Sequence, residues 1–201
     1  MLEPNYWFQL IELMAAILGF VYVYLIATNK SSGWIFGIAS ATLYAYFFNH
    51  NYTWGLFSQQ IAYIILGVYG LFTWSAKAQS LPIGSLGKKL WLWIGITLMA
   101  GFLFYVCIQW LNRSSSRWEF SIDPIADWRA VLDAQFFVFS LLATWLTTRK
   151  KLENWHIWIV VNIIGTIWFA YEQWWSTSAL YFAYLLLAIN GLKKWSKALY
   201  A

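Results

Sequence analysis

The sequence predicts an all-α membrane protein: seven transmembrane helices, arranged as two parallel three-helix units around one additional helix. Three observations predict it. Hydrophobic side chains make up 61% of the 201 residues and charged ones only 10%. About a quarter of a soluble domain is charged, so a bilayer must stand in for the missing polar surface. The apolar residues fall into seven stretches long enough to cross hydrocarbon, which takes about 20 residues. Finally, the first part of the chain aligns with the last, without gaps, at an offset of 121 residues.

In chain order, spans are expected near 7–28, 32–49, 54–75, 89–112, 131–148, 154–173 and 177–196. Soluble buried helices would be broken by polar stripes, which this series lacks. The stretch from Arg113 to Arg129, with Glu119, Asp123, Pro124 and Asp127, carries most of the soluble character and reads as a loop between halves. Basic residues set the direction. Lys30, Lys77, Lys88, Lys89, Arg149, Lys150, Lys151, Lys193, Lys194 and Lys197 share one side, ten in all, against Arg113, Arg117 and Arg129 on the other. The positive-inside rule then expects the N-terminus outside and the C-terminus in the cytoplasm. The N-terminus has neither the basic start nor the small-residue cleavage site of a signal peptide, so the first span is expected to stay.

The 121-residue offset places Trp34 on Trp155, Trp54 on Trp175 and Trp74 on Trp195. It also places Tyr63 on Tyr184, Leu66 on Leu187, Gly70 on Gly191, Leu71 on Leu192 and Glu12 on Asp133. A unit with three spans would be inverted if copied directly after itself, and span four restores its orientation. The organisation read from this is a first repeat over 1–76, a linker helix and external loop over 77–130, and a second repeat over 131–201. Parallel repeats about an axis along the membrane normal are a transporter architecture, with substrate held between the halves.

Composition excludes several classes. The formal charge of +5 sits in short clusters between spans, so nucleic acid is not an expected partner. One cysteine, Cys107, and two histidines leave no disulfide framework and no metal site. No cofactor is expected. The spans hold neither a nucleophile with its base nor clustered ligands, which argues against an intramembrane enzyme. A retinal protein would need a lysine in mid-helix, whereas Lys193 and Lys194 lie at the end of the last span.

Polar side chains inside spans are the site candidates, because hydrocarbon offers them no partner. Asn162 falls near the middle of span six, and Trp155 and Trp158 share its face, with Thr166 one turn further. An amide beside indoles suits a flat or cationic heteroaromatic ring. The competing role for Asn162 is a hydrogen bond to a neighbouring helix. Span three offers Ser58, Gln59, Gln60, Tyr63 and Gly67, of which Gln60, Tyr63 and Gly67 are spaced for one face. Span seven offers Tyr181, Tyr184 and Asn190. Tyr184 can be read as a ligand contact or an interfacial belt residue, and Tyr181 reads as belt. Glu12 and Asp133, at matching places, either draw in a cation or pair with polar groups nearby, whereas Glu172 reads as a wet external carboxylate. Gly70 and Gly191 would allow close helix approach.

The segment "DAQFFVFSLLATWLTTRKKLENWHIWIVVN" from Asp133 to Asn162, with "ALYFAYLLLAINGLKKW", "GWIFGIASATLYAYFF" and "IILGVYGLFTW", resembles the PnuC family of bacterial vitamin transporters. The resemblance covers nearly the whole chain. It implies a SWEET-like arrangement of two three-helix bundles, often as a homotrimer in the bacterial inner membrane. It also implies facilitated diffusion of a vitamin that a cytoplasmic kinase then traps by phosphorylation. Trp155, Trp158 and Asn162 match the family's binding pattern. Members carrying nicotinamide riboside usually have Asn or Gln where Gly67 stands, and often Asn at or near Ala41. That departure turns the expectation toward thiamine, a cationic vitamin suited to aromatic walls and carboxylates, with nicotinamide riboside as the alternative and riboflavin less favoured.

Overall fold

A computed structural model describes residues 6–50, 54–76, 82–115, 124–173 and 175–200. Lys77, Arg117, Glu119 and Asp123 lie outside the described residues, as do the side chains of Trp54, Arg113, Asp127 and Arg129. The described chain forms seven helices: α1 (Tyr6–Ala27), α2 (Gly33–His50), α3 (Trp54–Ala76), α4 (Lys89–Ser115), α5 (Pro124–Thr148), α6 (Glu153–Tyr171) and α7 (Trp175–Leu199). They match the seven expected spans closely, with one difference. α5 starts at Pro124, inside the stretch read as loop. Proline at a first helical position loses no hydrogen bond and presets φ, so the helix begins before its apolar window does.

Among the described residues five helices are long and apolar enough to cross a membrane: α1, α3, α4, α5 and α7. The other two, α2 and α6, are the middle helix of each group of three. α2 packs against both α1 and α3, and α6 against both α5 and α7. Helices wrapped by protein need less hydrocarbon and more small or polar contacts. Accordingly α2 buries Gly33, Ser40, Ala41 and Ala45, and α6 buries Asn154, Asn162 and Gly165. Contacts of α1 with α7 and of α3 with α5 close the six into a ring, while α4 packs on α5 from outside. Exchanging α1 with α5, α2 with α6 and α3 with α7 maps the neighbours within this ring of six onto themselves, with α4 standing apart.

Residues 121 apart also share local geometry. α1 and α5 each end on a left-handed residue, Asn29 (φ 59°) and Lys150 (φ 50°). In the first turn Lys30 N–H donates to Leu25 O at 2.9 Å and Asn29 N–H to Ile26 O at 2.9 Å. In the second Lys151 N–H donates to Leu146 O at 3.0 Å and Lys150 N–H to Thr147 O at 3.0 Å. Both are Schellman caps, which satisfy the last helical carbonyls and turn the chain sharply.

The largest buried side chains are Trp34, Trp74, Trp155 and Trp195. They come from α2, α3, α6 and α7 and form one cluster with Ile26, Ala27, Leu152 and Ala188. Residues 82–87 run beside the α5–α6 turn. Gly84 N–H donates to Lys150 O at 3.0 Å, and Leu152 N–H donates to Gly84 O at 2.9 Å. Glu153 Oε1 accepts from Ser85 Oγ and from the backbone N–H of Leu86 at 2.7 Å and Gly87 at 3.3 Å. The linker therefore lies at the same end of the bundle as the four tryptophans.

Candidate functional site

The interior of the six-helix ring has a closed floor. Trp34 stands edge-on to Trp74 with centroids 5.6 Å apart, and Trp155 edge-on to Trp195 at 5.4 Å. Trp74 and Trp195 meet at 6.0 Å and join the two pairs. Glycine makes room for the outer ring of each pair. A Cβ at Gly70 would lie 2.5 Å from the Trp34 ring, and one at Gly191 2.7 Å from the Trp155 ring. The close approach expected at Gly70 and Gly191 thus serves indole seating. Trp74 Nε1–H donates to Thr148 O at 3.1 Å and Trp195 Nε1–H to Ile26 O at 3.3 Å, tying α3 to α5 and α7 to α1. The Nε1 groups of Trp34 and Trp155 are buried and have no hydrogen-bond partner among the described residues.

Above this floor, helices from both sides bring hydroxyls and amides inward. Gln59 Nε2 donates to Ser140 Oγ on α5 at 2.8 Å and to Tyr63 Oη at 3.1 Å. Tyr184 reaches from α7 toward α1, where a Cβ at Gly19 would lie 2.8 Å from its hydroxyl oxygen. Tyr63 and Tyr184, 121 residues apart, thus reach across the two equivalent boundaries of the ring. Tyr22 of α1 lies within electrostatic range of Tyr63, and Tyr44 of α2 within range of Tyr184 and Glu12. Tyr181 lies within range of Tyr63 and of Asp133. Its ring packs against Gly165 and against Phe169, centroids 5.0 Å apart. Tyr181 is therefore packed between α7 and α6, because Gly165 leaves α6 open beneath it.

Asn162 is 4% exposed, two turns above Trp155 on α6. Its backbone carbonyl accepts from Thr166 Oγ1 at 2.7 Å. Among the described residues its side-chain amide takes part in none of the hydrogen bonds that join helices. Thr166 O in turn accepts from Ser178 Oγ at 2.8 Å, stitching α6 to α7.

The remaining expected residues divide. Trp158 is partly buried and bridges two apolar clusters. Trp155 is a core residue, with its ring against Gly191 and Trp195, so it seats the floor. Gln60 is buried on α3, and Asn190 is half-buried on α7. Glu12 and Asp133 are exposed on α1 and α5. Glu12 stands 14 residues before the floor residue Ile26, roughly 20 Å at ~1.5 Å per residue. Gly67 lies against α2, where a Cβ would be 2.8 Å from Ile38 Cγ1. Ser140, Tyr22 and Tyr44 have no signal in the sequence that marks them, and Gln59 is one of the span-three candidates although it lies off the face shared by Gln60, Tyr63 and Gly67. The i, i+4 spacing of Gln59 and Tyr63 was the one local signal available.

The family model for the nicotinamide mononucleotide transporter matches residues 9–197. The chain is 25% identical over 209 aligned residues to the nicotinamide riboside transporter PnuC of Escherichia coli K12, covering 92% of this chain and 84% of that protein. It is 26% identical over 216 residues to the PnuC transporter of Neisseria mucosa, covering 97% of this chain and 74% of the relative. The crystal structure of the vitamin B3 transporter PnuC superposes with a TM-score of 0.69 at 23% identity, over 98% of this chain and 84% of that one. A family match over that length settles the question of kinship: the chain belongs to the nicotinamide mononucleotide transporter family, the PnuC vitamin transporters.

Proposed function

We propose that this protein carries nicotinamide riboside across the membrane by facilitated diffusion. The observation that carries the reading is that the curated relatives aligned over more than nine-tenths of the chain are nicotinamide riboside transporters. The chemistry of the interior supports it. Nicotinamide riboside has a cationic pyridinium, a carboxamide and ribose hydroxyls. The buried Asn162 amide complements a carboxamide, the tyrosine rings a cation, and Gln59 with Ser140 a ribose edge. Glu12 and Asp133 would favour a cation's approach from the far end.

In this reading the two three-helix units are parallel repeats that rock about the ring's two weaker boundaries, α1 with α7 and α3 with α5. The tryptophan floor is the closed inner gate. The ten-residue basic end faces the cytoplasm of an inner membrane, where a vitamin kinase makes uptake unidirectional. A homotrimer is the expected assembly. Cysteines at Ser115 and Ser196 in a Cys107→Ala background should label from opposite sides of the membrane with an impermeant reagent.

Calorimetric titration of the purified protein with nicotinamide riboside, thiamine and riboflavin tests the substrate. Nicotinamide riboside should bind at least tenfold more tightly than the other two, tenfold being about 1.4 kcal/mol. Tighter thiamine binding would reverse the assignment.

A further inference from the structure

A second polar site lies outside the ring, at the end of the bundle where the linker meets the α5–α6 turn. An open pocket of about 350 Å³ is lined by Leu86, Trp145, Arg149 and Lys151. Both cations in it are held in place. The Arg149 guanidinium carbon sits 5.5 Å from the Tyr69 ring centroid and 5.8 Å from that of Trp145. Cation–π contact with two rings restrains the exposed guanidinium, whose N–H groups remain able to bind. The Lys151 side chain is set by Gly84, where a Cβ would lie 2.9 Å from Nζ. Trp93 of α4 backs Trp145 at 5.0 Å, which makes one wall aromatic and puts the pocket beside the outermost helix. The nearby carboxylate, Glu153, is 5% exposed and uses Oε1 to hold the linker. Lys88 and Lys89 at the start of α4 are exposed and add to the positive field.

We infer that this pocket binds a phosphate group, with Arg149 and Lys151 as its ligands and Trp145 as its apolar wall. Two fixed cations that bind no carboxylate among the described residues, beside the first turn of α4 and the end of α5, suit the headgroup phosphate of an anionic lipid. A soluble phosphate monoester presents the same chemistry. Either ligand would pin the linker to the α5–α6 turn, and so to the floor helices.

The test compares the full-length protein with the double variant Arg149→Gln, Lys151→Gln, and with Lys193→Gln, Lys197→Gln as a control of equal charge at the same end. Each is extracted in detergent, and the phosphatidylglycerol and phosphatidylcholine retained per protein are measured by mass spectrometry. Melting is followed with each lipid, inorganic phosphate or glycerol phosphate added. The unaltered protein and the control should retain phosphatidylglycerol selectively and melt higher with it. The pocket variant should lose about fivefold of that retention per charge removed, while melting normally in phosphatidylcholine. Stabilisation by inorganic or glycerol phosphate that the pocket variant alone loses supports the site and assigns it to a soluble ligand. If no phosphate compound distinguishes the pocket variant from the control, the pocket is not a phosphate site.

Discussion

Trp155 and Trp195 meet edge to face, centroids 5.4 Å apart and planes at 89°. Trp34 and Trp74, 121 residues earlier, repeat the relationship at 5.6 Å and 85°. Edge-to-face aromatic pairs contribute about 0.5–1.5 kcal/mol beyond their buried area. In both pairs the outer ring lies over a glycine. Gly70→Ala and Gly191→Ala should therefore each destabilise the protein by about 1–3 kcal/mol, as overpacking does. Denaturant or thermal melts in detergent check this, and similar losses at the two sites are expected.

Substitution of Asn162 separates ligand binding from folding. Asn162→Leu should weaken vitamin affinity at least tenfold, because a lost buried hydrogen bond costs about 1–3 kcal/mol. Leucine is well accommodated in a membrane helix, so the melting temperature should stay within a few degrees. Calorimetry and a melt on one preparation read both quantities.

Gly67→Asn tests where substrate choice resides. Its Cβ would meet Ile38 at 2.8 Å, so the variant should melt lower while its preference among nicotinamide riboside, thiamine and riboflavin is unchanged. A switched preference would return Gly67 to the site.

Lys150 lies in the α5–α6 turn, 2% exposed, its Nζ 4.4 Å from the Trp74 ring centroid. Burial lowers its pKa below the ordinary lysine value. The native state therefore disfavours the charged form, and this penalty is present at pH values below the lowered pKa. It fades as pH rises from the lowered pKa through the unfolded value of about 10.4, and is gone above that, where the amine is neutral in both states. Lys150→Met should melt higher than the unaltered protein at pH 7, and the gap should shrink on going to pH 10.

Much of the fold can be read from the sequence because hydrocarbon imposes length and composition on each helix separately. Span and helix ends agree within a few residues except at α5, where Pro124 starts the helix among polar residues. The 121-residue register also reaches correct local detail, since Asn29 and Lys150 share a left-handed turn. The site is less legible. Gln59 and Ser140 meet across 81 positions, and no local pattern announces that pairing. Tyr181 in an interfacial belt and Tyr181 over Gly165 have the same sequence signature. Trp155 carries a binding pattern in the sequence, but its ring faces are covered by Gly191 and Trp195, a consequence of helix packing alone.

Counterflow in proteoliposomes tests the central claim most directly. Vesicles preloaded with unlabelled nicotinamide riboside and holding no ion gradient should take up the labelled compound transiently, and unlabelled thiamine inside should not drive that uptake. Once the vesicles are empty of unlabelled substrate, labelled nicotinamide riboside should only equilibrate. Counterflow with thiamine but not nicotinamide riboside, or accumulation above the outside concentration that needs an ion gradient, would contradict the account.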